Sequence, residues 1–412
     1  MPKQIDITVY SPRYRWVVLG WWLFCSVSSF MIAGTIGILL PSISSDLHIS
    51  PGLQGVLSSA ALWGNVVLAI PLSWWVSRYR PKLLSTITLL LGSLCLFLQG
   101  WAPGFTVLLI GRFGFGVTQI ARQPARALLT QQWFPQREVI LLNSFANALF
   151  GVIVGGGLIA APFILSRLGG DWRTTFYLFG GFFSALTFMW MILGKERITP
   201  EYLTSERSKS INLLKGALSY RELWITGFGY IGANLAASAF LSFFPTAMLN
   251  DYGLSLQWSG IILALGVLVG GISGFWLGHI GITLNKGKAV LKIVGISLAV
   301  TYVGMILTGS IPTLLILSFI NGAGWGFWPI LFTVPFQLPG IRPREVAVAL
   351  SFNMMMIAVG QALGPIIAGF LQEALGNLRI ALFIASFCTI SLTIAGTLLQ
   401  FNTKEQTSTP QS

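Results

Sequence analysis

WFPQREVILLNSF, residues 133–145, has a near copy later in the chain: GIRPREVAVALSF, residues 340–352. In each, a short polar turn with a basic–acidic pair runs directly into an apolar segment. A second pair follows in the same order, GDWRTTFYLFGGF at 170–182 and GNLRIALFIASF at 376–387. One such match arises easily by chance. Two in matching order indicate that the chain is an internal duplication.

What is duplicated follows from composition. The chain has 412 residues, 54% hydrophobic and 9% charged, with a mean hydropathy of +0.76. Soluble domains carry about 25% charged residues, so the apolar surface here requires lipid as its solvent. A membrane-crossing helix needs about 20 mainly apolar residues, and the sequence supplies twelve such runs. Six lie at 16–40, 52–76, 83–102, 105–129, 139–166 and 173–193. Six more lie at 221–247, 255–281, 288–308, 311–334, 344–372 and 378–400. The expected fold is an all-α membrane protein of two pseudo-symmetric six-helix bundles. Residues 1–193 form the first, 194–220 a cytoplasmic linker, 221–400 the second and 401–412 a cytoplasmic tail. Parallel repeats of this kind are the architecture of many secondary transporters.

Charge orients the layout. With both termini cytoplasmic, only Arg167, Arg173 and Arg379 fall on the outer side. Of the 25 basic residues, three more stand inside the fourth span and the remaining nineteen are cytoplasmic. Such a bias sets orientation by the positive-inside rule, and it accounts for the net charge of +13 without a nucleic-acid partner. His48 and His279 are the only histidines, and Cys25, Cys95 and Cys388 share no metal-binding spacing. No metal or cofactor is expected. No Asn-x-Ser/Thr sequon occurs, which favours a bacterial inner (plasma) membrane, and a monomer is expected.

Several motifs resemble the major facilitator superfamily of transporters. YRWVVLGWW…GILLPSIS in the first span is similar to the opening of that family's organic-anion and nitrate-type branches. Arg112 with Gly116 resembles its fourth-span RxxxG motif, followed by WFPQRE at the cytoplasmic turn. SWWVSRYRPKLL resembles the GxxxDRxGRR loop, with Ser73, Ser77 and Arg80 where Gly, Asp and Gly are usual. The resemblance implies alternating access, with Arg78, Arg137 and Glu138 as conformational or gating residues. The Asp-Arg pair of the family's sugar-acid symporters falls at Ile32-Ala33 and is absent.

RFGFGVTQIARQPAR, residues 112–126, concentrates the chemistry. It places Arg112, Arg122 and Arg126 in an apolar span. At about 100° per residue, Arg122 and Arg112 each lie about 40° from Arg126, with Phe115 and Gln119 in the same arc. A cation near the bilayer centre costs at least about 2.5–3.5 kcal/mol. Asp46, Glu138, Asp171 and Glu373 stand only at span ends, and no acid occupies a span interior. Three buried cations without a protein counter-ion point to a counter-ion carried by the substrate, which the planar guanidinium fork suits. Two plainer roles stay open: Arg112 as a structural arginine bonded to backbone carbonyls, and Arg126 reaching cytoplasmic headgroups. The repeat aligns Gly116 with Gly326 and sets Gly322, Phe332 and Phe336 against the three arginines, so the scaffold does not itself demand them.

Mid-span polar residues include Asn65, Asn143, Asn147, Asn234, Asn321, Asn353 and Gln361. Asn321 and Trp325 share a helix face, and with Asn353 they are candidate substrate contacts; interhelical hydrogen bonding and packing explain such residues equally well. An enzyme embedded in the bilayer would need His, acid or nucleophile clusters, and none is present. The expectation is a non-enzymatic secondary transporter, with membrane lipid as solvent and a small, organic anion as substrate, moved by exchange or uniport. A proton-driven efflux pump for amphipathic compounds is the alternative, and it calls for an intramembrane acid.

This layout places Arg78–Lys82 and residues 194–220 inside, with Asp46 and Asp251 outside. Cysteine-accessibility labelling of intact cells, in a background without the native cysteines, checks it. Labelling of a cysteine at Ser208 from outside would overturn the orientation.

Overall fold

The computed structural model describes residues 13–76, 81–119, 125, 129–130, 133–134, 139–195, 218–283, 286–338 and 343–399. Every regular element among them is helical. That is the expected outcome in hydrocarbon, where each backbone N–H and C=O must find a partner within its own segment. Among the described residues, ten helices are long and apolar enough to cross a membrane. The helices Pro51–Val76 and Phe105–Thr118 occupy the remaining two expected positions, the second and fourth spans. The chain divides into two compact units, Met1–Ser208 and Lys209–Ser412, each with six spans. The acids Glu222 and Glu345 stand in the first turns of the seventh and eleventh spans, at their ends.

Departures from ideal α-winding fall where sequence forces them. The first span consists of two helices, Tyr14–Gly34 and Ile36–Leu47, joined at Thr35; Pro41, which has no N–H, lies in the second. The tenth span is α-helical over Ile311–Gly324, tightens to a 3₁₀ turn at Trp325–Phe327 and resumes as Trp328–Thr333. Prolines at 329 and 335 follow that break. The eighth span ends in a π-turn, His279–Thr283.

Within each unit, glycine brings backbones into direct contact. A Cβ on Gly116 would stand 1.9 Å from the Ala61 carbonyl oxygen of the second span, and one on Gly64 would stand 2.5 Å from Phe113 O. The second unit repeats this crossing between its eighth and tenth spans. There, a Cβ on Gly326 would lie 2.6 Å from Ser273 O, and one on Gly322 would lie 2.5 Å from Gly266 O. The aligned pair Gly116/Gly326 thus does the same packing in both halves. Gly360 and Gly364 seat the eleventh span on Ile231 and Leu235 of the seventh. Such close approach is how membrane helices associate when apolar side chains have no preference for protein over lipid. The other faces carry large exposed apolar residues, among them Leu94, Trp276, Ile293 and Leu307.

Gly116→Ala therefore drives a methyl group into backbone that cannot swing away. It is expected to destabilise the protein by about 1–3 kcal/mol or more, seen as a lower yield and a lower Tm in detergent. Gly181→Ala, with no neighbour within 4 Å of the added Cβ, is the matched control and should change neither.

Candidate substrate-binding site

The fourth span, Phe105–Thr118, is anchored at one end by Gly104 and pressed against the second span through Gly116. That contact fixes its rotation. Arg112, Phe115 and Gln119 consequently face the interior of the first unit. Arg112 is only 1% exposed. Its Nη2 donates to the carbonyl oxygen of Ala33 at 2.6 Å, next to the break between the two helices of the first span. Its Nε and Nη1 are buried with no hydrogen-bond partner. One carbonyl carries no full charge, so the cation is only partly answered. Leaving a buried charge unpaired costs several kcal/mol, and two idle donors aimed into a low-dielectric interior form a ready cradle for an anion.

Phe115 is fully buried and meets Phe183 of the sixth span edge-on, centroids 5.9 Å apart. One turn further on, the Ser29 hydroxyl of the first span shares its single proton between Gln119 Oε1 and Ser26 O, the latter at 2.7 Å. Ser26, Ser29, Thr88, Thr118 and Gln119 line a small polar crevice closed by Trp22 and Phe183. Arg112 and Gln119 are thus both joined to the first span, which becomes the second wall of the site. Ser29 and the Ala33 carbonyl escaped the sequence reading. A lone serine and a backbone oxygen carry no pattern, although the small-residue run SVSS at 26–29 marks a closely packed face.

The second unit holds its candidates differently. Asn321 donates through Nδ2 to Thr301 Oγ1 at 2.9 Å, and Trp325 Nε1 donates to the Tyr302 hydroxyl at 3.3 Å. Both therefore bridge the tenth and ninth spans. Gln361 Nε2 donates to Asn234 Oδ1 at 3.2 Å, joining the eleventh span to the seventh. Asn353 differs from these. It is fully buried, and neither its Oδ1 nor its Nδ2 has a partner. Arg122, Arg126, Arg78, Arg137 and Glu138 lie outside the described residues, as do the side chains of Asn65, Asn143 and Asn147.

Residues 22–341 match the family described as the Major Facilitator Superfamily. The chain belongs to that family. Two relatives from Escherichia coli (strain K12) align along most of its length. The "Probable L-galactonate transporter" is 23% identical over 90% of this chain and 86% of its own. The "Probable galactarate/D-glucarate transporter GarP" is 23% identical over 89% of this chain and 90% of its own. Among solved structures, the fold is similar to that of a bacterial homologue of the human lysosomal transporter Spinster in an inward-facing, unoccupied conformation. The TM-score is 0.74 at 17% identity, covering 94% of this chain and 96% of that one. The protein is a multi-pass integral membrane transporter of this superfamily, and its substrates are small molecules.

Within this family member, the single carbonyl contact predicts what Arg112 tolerates. Arg112→Lys keeps the charge but loses the fork, and should fold with a modestly lowered Tm. Arg112→Glu buries a carboxylate against the Ala33 carbonyl, acceptor against acceptor, and should fail to accumulate in the membrane. Immunoblots of membrane fractions and detergent Tm measurements check both; normal accumulation of the Glu variant would show that the guanidinium site is open to water.

Proposed function

We propose that this transporter carries a small organic anion of the sugar-acid class by alternating access, through exchange or uniport and without obligatory proton symport. The observation that carries the reading is Arg112: a buried guanidinium with two unpartnered N–H-bearing nitrogens and no acid beside it. Arg122 and Arg126 extend the same helical arc in sequence and supply the remaining positive charge, while Gln119 adds a neutral contact. Asn321, Trp325 and Asn353 are the contacts assigned to the second half. The sugar-acid class is suggested by the names of the two Escherichia coli relatives.

Exchange follows from what the spans lack. A proton symporter generally needs an intramembrane carboxylate or histidine whose protonation changes through the cycle. In the sequence, acids stand only near span ends and His48 and His279 stand near span boundaries. Arginine does not release its proton at accessible pH. Closing the protein around unpaired cations is costly, and a bound anion lowers that cost. The loaded carrier therefore reorients faster than the empty one. In the cell we place the protein as a monomer in a bacterial plasma membrane with both termini cytoplasmic, residues 194–220 as the inner linker, and Arg78, Arg137 and Glu138 at the cytoplasmic gate.

The test is uptake of labelled galactarate, glucarate and galactonate into proteoliposomes, preloaded or empty, with and without a pH gradient. Strong stimulation by preloading and indifference to the gradient are expected. Accumulation in empty vesicles driven by an inward proton gradient would overturn exchange and point to Glu138 as a proton site. Arg122→Ala should reach the membrane folded and lose uptake by about two orders of magnitude, the scale for truncating one partner of a buried charge pair. Arg122→Lys should recover little of it. Wild-type uptake by Arg122→Ala would remove that residue from the site.

A further inference from the structure

Among the described residues, two ion pairs have matching positions in the two units. In the first, Arg173 Nη1 stands 2.5 Å from Asp46 Oδ2. In the second, Arg379 Nε stands 2.7 Å from Asp251 Oδ2. Each aspartate is in the last turn of the first span of its unit, and each arginine is in the first turn of the sixth.

The backbone around each pair repeats as well. Two residues beyond each aspartate the chain turns through a left-handed residue, His48 at φ 50° and Gly253 at φ 63°. The stretches SDLHIS at 45–50 and NDYGLS at 250–255 supply this turn. Before each arginine stands a left-handed glycine, Gly170 at φ 87° and Gly376 at φ 66°. An N-cap follows it. Asp171 accepts from the backbone N–H groups of Arg173 and Thr174, and Asn377 accepts from those of Arg379 and Ile380. The cap orients the first helical turn and so aims the arginine.

Each guanidinium also lies over an aromatic ring. Arg173 is 4.3 Å from the Trp172 centroid, and Arg379 is 4.5 Å from that of Tyr252. Trp172 belongs to the sixth span, beside its arginine, whereas Tyr252 belongs to the seventh, beside its aspartate. The same stacked ion pair is therefore built with the ring on opposite helices. Further bonds close each junction. Trp172 Nε1 donates to Asp46 Oδ2 at 3.2 Å and Arg173 Nη2 to Ala102 O at 3.3 Å. In the second unit the Tyr252 hydroxyl donates to Ile306 O at 3.0 Å. An isolated exposed ion pair contributes little; capped, stacked and multiply bonded, these two are more constrained.

We infer that the fold carries one clasp twice, Asp46 with Arg173 and Asp251 with Arg379, and that each clasp keeps the first and sixth helices of its unit joined at that end throughout the transport cycle. The clasp makes each six-helix unit move as one body there, and it is not a gate that opens.

Two measurements test this. Stability cycles in detergent compare Asp46→Asn, Arg173→Gln and the double variant, and likewise Asp251→Asn with Arg379→Gln. Each single change should lower Tm, and each double should be no worse than the poorer single. Additive losses would overturn the clasp as a coupled unit. In a background without native cysteines, Asp46→Cys/Arg173→Cys is then bridged with a bis-methanethiosulfonate reagent and assayed for galactarate counterflow. Retention of more than half the unbridged rate supports permanent closure; loss of counterflow that a reductant restores overturns it. Absence of counterflow before bridging would fault the proposed substrate, and the stability cycles would still decide for or against the clasp.

Discussion

A guanidinium held inside an apolar bundle with one carbonyl for company is the constraint around which the first unit is organised. Among the described residues Arg112 has no acid to pair with, so packing and the Ala33 carbonyl keep it in place. Gly116 seats the fourth span on the second and fixes its rotation. The break at Thr35 brings the Ala33 carbonyl to Nη2. Phe115 and Phe183 exclude lipid and water on the adjacent turn. In this surround, an unanswered positive charge is costly, which is the physical ground for the anion proposed as substrate.

Several polar groups elsewhere among the described residues show the reverse strategy and are satisfied within the protein. Asn321 with Thr301, Trp325 with Tyr302, and Gln361 with Asn234 are pairs whose donors and acceptors match. Ser and Thr hydroxyls mostly return to carbonyls of the preceding helical turn, as Thr187 does to Phe183 and Ser386 to Leu382. Charges are moved to helix ends, where Asp46 and Asp251 find arginines. Against that background, Arg112 and Asn353 stand out, because each retains two buried polar atoms without a partner, where Trp22, Ser28, Ser58, Gln99, Thr246, Ser259 and Gln372 each retain one.

The fold was legible in the sequence because lipid imposes coarse rules. Apolar runs of about 20 residues and the repeated PREV and QREV turns were enough for twelve helices in two sixes. The ends of the helices were less legible. The first span runs on to Leu47, well past the apolar stretch ending at Leu40, because a helix continues as long as its polar residues reach water. The duplication was also deeper than its two most visible matches. SDLHIS and NDYGLS share only Asp and Ser in register, yet they build the same left-handed turn, since His48 accepts a conformation that Gly253 adopts freely. The site was half legible. Arginines in a span announce themselves, but Ala33 contributes a backbone oxygen and Ser29 a hydroxyl, and neither leaves a trace in composition or periodicity. The amides were the least legible, because a buried asparagine that bonds a neighbouring helix looks, in sequence, like one that has no partner.

What separates the two halves is as informative as what unites them. Gly116 and Gly326 make the same crossing, so the fourth and tenth spans share a frame. At the position matching Arg112 the second half has Gly322, where even a Cβ would stand 2.5 Å from the Gly266 carbonyl oxygen. No arginine fits there without prising the eighth and tenth spans apart. The second half has filled with backbone the space that the first keeps for a cation. The architecture and the end ion pairs are duplicated while the guanidinium is not, so the shared packing does not itself require it. That asymmetry supports placing the proposed anion contacts mainly on the first half, with neutral contacts from the second.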